Sequence, residues 1–372
     1  VAGRRMDHVT RLPIDRILSA RGLRAPAGTV IGRSRRGRPL LGFRFGRGDR
    51  AVSLIGGAHA DEPVGPEMLR RLVGFLGGLP PTDPLLAQWS WHVVPHINPD
   101  GAAVNAGWAS STLPVLDHRG DPDRGYRFSS YFESAVREAP GDDLEFGFPR
   151  GMETEDDRGA RPEALAVAAF LRAGAPFVLH GSFHSMAFGA GPWFLLEPAW
   201  IDRTAGLRDR LRAHVQRLGY RLHDVDRQGE KGFRRIDEGF CTRPDCGAMR
   251  RYFLDRDEPA MAARFRPSSM EFVRSLGGDP LTLVSEMPLF LVPVTTQPGG
   301  SEGFGEERPP LPMDLSSRRR FSAWALRVHR EQGPETLDRS VAQLGIRAMA
   351  LRDQMALQLA YLDEALAAVA AD

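Results

Sequence analysis

Short apolar runs alternating with helical stretches constrain this chain more than any other feature. Ala51 to Ile55 reads as a buried strand entering Gly56-Gly57, and Pro63 to about Leu76 as the helix after it, with proline in the first turn where its missing N–H costs nothing. Trp89 to Ile97 is a second strand, and it ends in NPDG, which reads as a turn. Pro162 to Ala173 predicts a helix stopped by Gly174, Phe177 to Phe183 a strand, Ile201 to Leu218 an amphipathic helix, and Leu281 to Ser285 a buried strand. Thr29 to Gly46 adds a hairpin about a Gly-Arg-Pro turn. This alternation predicts an α/β fold, a mixed twisted sheet with helices on both faces.

At 372 residues the chain exceeds what one ordinary core needs, which predicts a large domain with an appendage. The expected division is a catalytic domain over 1–292, a Pro/Gly-rich linker or lid over 293–313, and a helical extension over 314–372. In the extension, one long final helix is expected to carry an apolar stripe from Leu337 through Leu344, Leu351 and Leu359 to Val369. Packing back on its own domain is the plain reading of that stripe, and a dimerising helix the sharper one. Residues 102–161 and 219–258 have no clear period and read as irregular, functional or covering segments.

A formal net charge of +2 is too small to suggest nucleic-acid binding, and Lys231 is the only lysine. No apolar run is long enough to span a membrane, and VAGRRMDHVTRLP lacks the apolar core of a signal peptide, so the residues given read as cytoplasmic. Cys241 and Cys246 allow a small disulfide loop or two free thiols; alone they make a poor zinc site, since structural zinc takes four ligands.

The chemistry-bearing residues collect at strand ends. His59 and Glu62, in GGAHADEP, follow a strand and precede a helix, where α/β folds bind ligands. An imidazole and a carboxylate are good zinc donors, and a catalytic zinc site takes three protein ligands with one position open. His180 and His184, in VLHGSFHSM, share a strand face; His184, at the strand's end, is the better third ligand, and His180 lies deeper. Glu286, in LTLVSEMP, is a lone acid in an apolar strand, suited to take a proton from water.

The order GGxHxxE, NPDG, PExxA, a strand ending in His-Ser and a strand ending in Glu before Met-Pro resembles the zinc carboxypeptidase superfamily over roughly residues 30–292. The resemblance implies a hydrolase of amide bonds with one zinc ion, held by His59, Glu62 and His184, with Glu286 as general base and acid. It implies Arg127, in RGYR, as the positive charge for the developing oxyanion, and Asp143, in GDDLEF, as the acid that holds the first zinc histidine. The family's Asn-Arg clamp for a terminal carboxylate falls on Glu145 and Phe146, which cannot bind one. Either Arg150, Arg158, Arg161 or Arg243 does that work, or the substrate has no free carboxylate there. Tyr252 is the candidate for the family's closing tyrosine, and Ser268 and Ser269 either line the pocket or cap a helix. The expected substrate is a peptide or an N-acyl amino acid. An N-acyl amino acid deacylase resembling aspartoacylases and succinylglutamate desuccinylases is the alternative enzyme, and a non-catalytic zinc- or peptide-binding relative the alternative class.

Overall fold

Among the described residues, ten strands join in one mixed sheet, and two more form a separate hairpin. In chain order they are β1 (Thr29–Arg33), β2 (Pro39–Phe45), β3 (Arg50–Gly56), β4 (Trp89–Val94), β5 (Thr112–Leu116), β6 (Pro122–Tyr126), β7 (Leu179–Gly189), β8 (Trp193–Leu196), β9 (Arg235–Asp237), β10 (Phe240–Thr242), β11 (Leu281–Leu291) and β12 (Arg347–Ala348). The sheet order is β1-β2-β4-β3-β7-β11-β8-β10-β9, with β12 beside β11 and β5-β6 as the hairpin. β4, β3, β7 and β11 are mutually parallel, while β2 and β8 flank them antiparallel. The computed structural model describes residues 10–19, 26–116, 122–150, 160–294 and 309–372. Arg158 and most of the expected 293–313 linker lie outside those residues.

The period-two pattern of the central strands explains the layers. Val52 and Leu54 of β3 face one hydrophobic cluster, with helices Val64–Gly77, Ala205–Arg217 and Leu351–Ala371. Ile55 faces the other, with helices Pro162–Arg172 and Ser269–Ser275. Helices therefore cover both faces, as the alternation predicts. Among the described residues no helix is long and apolar enough to cross a membrane.

Several segments differ from expectation. NPDG does not end in a turn: the Asn98 side chain accepts the Gly101 N–H at 3.0 Å and Pro99 enters the first turn, so the motif starts helix Pro99–Ala109. The supposedly irregular 102–161 thus holds most of that helix, the β5-β6 hairpin and helix Phe128–Ser134. Residues 219–258 hold β9, β10 and helix Cys246–Leu254. β7 and β11 run well past their apolar centres because they pair with each other as far as Leu291 and Gly189. Lateral pairing sustains a strand where composition does not.

The final apolar stripe is not one helix. Gly345, at φ +79°, ends helix Pro334–Gln343, β12 adds to the sheet, and helix Leu351–Ala371 begins anew. Met355, Leu359, Leu362 and Leu366 then bury against the same cluster as Val52 and Leu283. At about 25 cal/mol per Å² of apolar area, each such side chain contributes roughly 1.5–3 kcal/mol.

Candidate metal centre

Three parallel strands deliver the site. β3 ends at Gly56, and the next residues turn outward. Gly57 adopts φ +72° with the His96 ring packed where a Cβ would stand, so a side chain here would clash. The turn carries His59 and Glu62 toward β7, and the backbone of Gly65 lies against Phe183 so closely that a Cβ would fall 2.3 Å from its carbonyl oxygen. On β7, pairing with β3 ends at Phe183, and His184 is the next residue. Glu286 of β11 pairs with His184 across the ladder. Gln358, from helix Leu351–Ala371, donates to the His184 carbonyl at 3.2 Å and to Ser285 Oγ at 3.3 Å, fixing both strands from behind.

His59, Glu62 and His184 are buried and converge, with one donor atom from each lying within 4.8 Å of the others. His59 Nδ1 is 2.8 Å from Glu62 Oε1, His184 Nδ1 is 2.9 Å from Glu62 Oε2, and the two Nδ1 atoms are 3.2 Å apart. Despite that approach, Glu62 Oε2 has no hydrogen bond of ordinary geometry. The far ring nitrogens are engaged: His184 Nε2 meets Ser182 Oγ at 2.7 Å, and His59 Nε2 meets Glu145 Oε2 at 3.1 Å. Both imidazoles therefore turn Nδ1 inward onto one carboxylate. Two imidazoles and a carboxylate are the usual donors for zinc, and a buried carboxylate oxygen without a hydrogen bond is a vacant donor.

The electrostatics favour a cation. Burial and Arg137 push His59 down, yet Glu62 and Glu145 outweigh them and its pKa lies well above 6.5. His184 is raised likewise against burial by Glu62, Glu145 and Glu286. Glu62 stays ionised, since His59, Arg137 and His184 overcome the cost of its burial. Burial, then repulsion from Glu62, pushes Glu286 up to about 8. A carboxyl at that level holds its proton at neutral pH, and a cation bound at the cluster would draw the value back down and free it to accept one.

Arg127 makes its ion pairs with Asp338 and Glu335. Its Nε pairs with Asp338 Oδ2 at 2.8 Å, and Asp338 also accepts from the Ser129 N–H and Oγ. The guanidinium at the cluster is Arg137, whose Nη1 lies 2.9 Å from Glu62 Oε1 and 3.2 Å from Asp61 Oδ1. Asp61 is buried, and the Tyr131 hydroxyl donates to it at 3.4 Å. Arg137 was hidden from sequence reading by its setting in ESAVREAPGDD, a stretch without period; its one signal is that it precedes Asp143 in the same loop. Asp143 is near His59 but farther than Glu145, with Oδ2 3.9 Å from Nε2.

Two of the alternative carboxylate-binding arginines are committed elsewhere. Arg243 is buried on Glu197 and Thr282, and Arg161 on Glu163 and Glu138. Arg150 is exposed. Tyr252 stacks under the Arg256 guanidinium, 3.5 Å from its ring centroid. Ser268 closes a capping box with Glu271, whereas Ser269 holds His180 Nε2 at 3.0 Å. Cys241 and Cys246 are both free thiols.

Residues 27–190, which include His59, Glu62 and His184, match the family model described as zinc carboxypeptidase. Carboxypeptidase B of Astacus astacus is 30% identical over 167 residues, covering 42% of this chain and 52% of that relative. Carboxypeptidase E of Caenorhabditis elegans is 30% identical over 176 residues, covering 41% of this chain and 35% of that relative. The chain spans about half or less of the length of these curated relatives. A metallo-carboxypeptidase structure from Burkholderia cenocepacia aligns at a TM-score of 0.44 and 14% identity, covering 94% of this chain and 66% of that one.

Proposed function

We propose that this chain, whose residues 27–190 match the zinc carboxypeptidase family model, is a zinc-dependent hydrolase of amide bonds. The reading rests above all on the convergence of His59, Glu62 and His184 directly beside Glu286. Those first three residues are the proposed ligands of one zinc ion. When bound, zinc supplies Lewis acidity, lowering the pKa of water and polarising a carbonyl oxygen. Glu286 takes a proton from the attacking water and returns it to the leaving nitrogen. Arg137, rather than Arg127, offers positive charge to the tetrahedral oxyanion. Ser182 and Glu145 keep the two imidazoles in the tautomer that presents Nδ1 inward.

The substrate is a peptide whose group beside the scissile carbonyl is neutral or cationic. Glu145 lines the cluster, and Phe146 is buried against Phe265 at 5.6 Å between ring centroids. Purified protein should hold about one equivalent of zinc and hydrolyse peptides; chelation should abolish turnover, and zinc should restore it. Amidated and free C-terminal peptides, with N-acyl amino acids alongside, define the class cleaved. Chelator-insensitive hydrolysis, or less than about half an equivalent of zinc with no further loss in His59→Ala, would overturn the reading.

A further inference from the structure

The loop 143–146 carries two carboxylates toward His59, and they do different work. Asp143 Oδ1 accepts the backbone N–H of Glu145 at 3.1 Å, so this carboxylate caps its own turn. Its other oxygen stops 3.9 Å from His59 Nε2. Leu144 goes into the core, and its N–H bonds to the Ala58 carbonyl at 3.3 Å, tying this loop to the turn that bears His59. Phe146 packs away on Phe265. Glu145, between two anchored hydrophobic residues, is left pointing at the imidazole, with Oε2 3.1 Å from Nε2.

We propose that Glu145 is the positioning residue for His59, and that this same carboxylate makes the wall of the site reject a substrate carboxylate. The inference rests on the zinc reading above. A carboxylate at Nε2 fixes the proton there and leaves the Nδ1 lone pair for the metal. His184 is handled differently, through the neutral hydroxyl of Ser182. Glu145 therefore adds a negative charge at the site that Ser182 does not. A substrate carboxylate beside the scissile bond meets like charge at short range, and the guanidinium of Arg137 is already shared by Asp61 and Glu62.

The test compares Glu145→Gln with Asp143→Asn, each checked for a cooperative thermal melt without metal. Zinc affinity is read by competition with a chromogenic chelator. Glu145→Gln should weaken zinc by about 10–100-fold, the usual effect of losing a partner of a metal-ligating histidine, and Asp143→Asn by less than about threefold. The ratio of kcat/KM for a free over an amidated C-terminal peptide should rise at least about tenfold in Glu145→Gln. If Glu145→Gln does not fold, Glu145→Asp serves: it keeps the charge and loses reach, so zinc affinity should fall while the preference against free carboxylates persists. Retained affinity in the Glu145 variant, equal losses in both variants, or an unmoved substrate ratio would each overturn the proposal. A wild-type protein that binds no zinc would instead remove the underlying reading, an outcome distinguishable from these.

Discussion

Two buried acid clusters in this molecule have opposite charge balance. On helix Leu351–Ala371, Glu364 is buried with the guanidiniums of Arg11 and Arg210 and the imidazole of His214 around it. Its neighbour Asp363 takes Arg11 at 2.8 Å and the Leu12 N–H at 2.8 Å. Despite burial, His214, Arg210 and Arg11 pull Glu364 down to about 2. At the other cluster, which gathers Asp61, Glu62, Asp143, Glu145 and Glu286, the ion pairs among the described residues are those of Arg137 with Asp61 and Glu62 and of the two histidines with the acids. Burial raises Asp61, Asp143 and Glu286 there, as it raises Asp363 at the first cluster, but here two histidines are also drawn upward by the surrounding carboxylates. Buried carboxylates that have their cations are structure; buried carboxylates short of cations await one. Together with the convergence of His59, Glu62 and His184, the difference fits a cation at the second cluster.

The sharpest way to break this contrast is Glu286→Gln. It removes a proton acceptor while sparing the proposed ligands, so kcat should fall by about 10²–10⁴-fold, roughly 3–5 kcal/mol, with zinc content unchanged. Metal analysis and steady-state hydrolysis on the same preparation decide it. Unchanged turnover would make Glu286 a structural acid like Glu364.

Arg137→Ala comes next. Loss of an oxyanion donor should cost about 10²–10³-fold in kcat/KM, near 3–4 kcal/mol. It also strips Asp61 and Glu62 of their cation, so the metal-free protein should melt earlier and gain more from added zinc than the wild type does. Calorimetry with and without zinc measures that gain. Equal gains in variant and wild type would show that the cluster was not short of positive charge.

The sequence exposed one layer of this site and concealed another, for a physical reason. His59, Glu62, His184 and Glu286 were legible because each is a chemistry-bearing residue next to an apolar strand, where burial without a partner is costly. The α/β layering was legible for the same reason, since periodicity reports which face is buried. Arg137, Glu145 and Ser182 matter through how a non-periodic loop folds back over the sheet, or through which hydroxyl an imidazole meets. Such contacts are long-range and leave no local pattern. The same limit joined Leu337 to Val369 into one helix, because an apolar stripe continues across Gly345 while the backbone does not.

Glu364→Gln tests the balanced cluster. The folded pKa of Glu364 lies below its ordinary 4.5, so its contribution is present above about pH 4.5 and disappears as pH falls from there toward 2. With half-exposed arginine partners, about 2 kcal/mol is the expected loss at neutral pH. The variant should show a flatter stability profile between pH 5 and about 2 by urea titration, with kcat/KM unchanged. A loss of hydrolysis here would mean that the two clusters are coupled through helix Leu351–Ala371 and its Gln358 contact to His184.

Arg127→Ala should have the smallest effect. Its ion pair with Asp338 is partly exposed, and Asp338 keeps the Ser129 N–H and hydroxyl when the guanidinium is gone. Such a pair contributes roughly 0.2–1 kcal/mol, so a modest shift in melting temperature is expected, with kcat/KM within about threefold of wild type. Measured beside Arg137→Ala, it separates two assignments of the same role. RGYR offers an arginine pair of the right appearance, whereas ESAVREAP offers an arginine that contacts Glu62. A large kinetic loss in Arg127→Ala with little in Arg137→Ala would return the oxyanion role to the motif. The reverse pattern would establish that the loop's return over the sheet, rather than the spacing of arginines along the chain, decides which guanidinium serves the reaction.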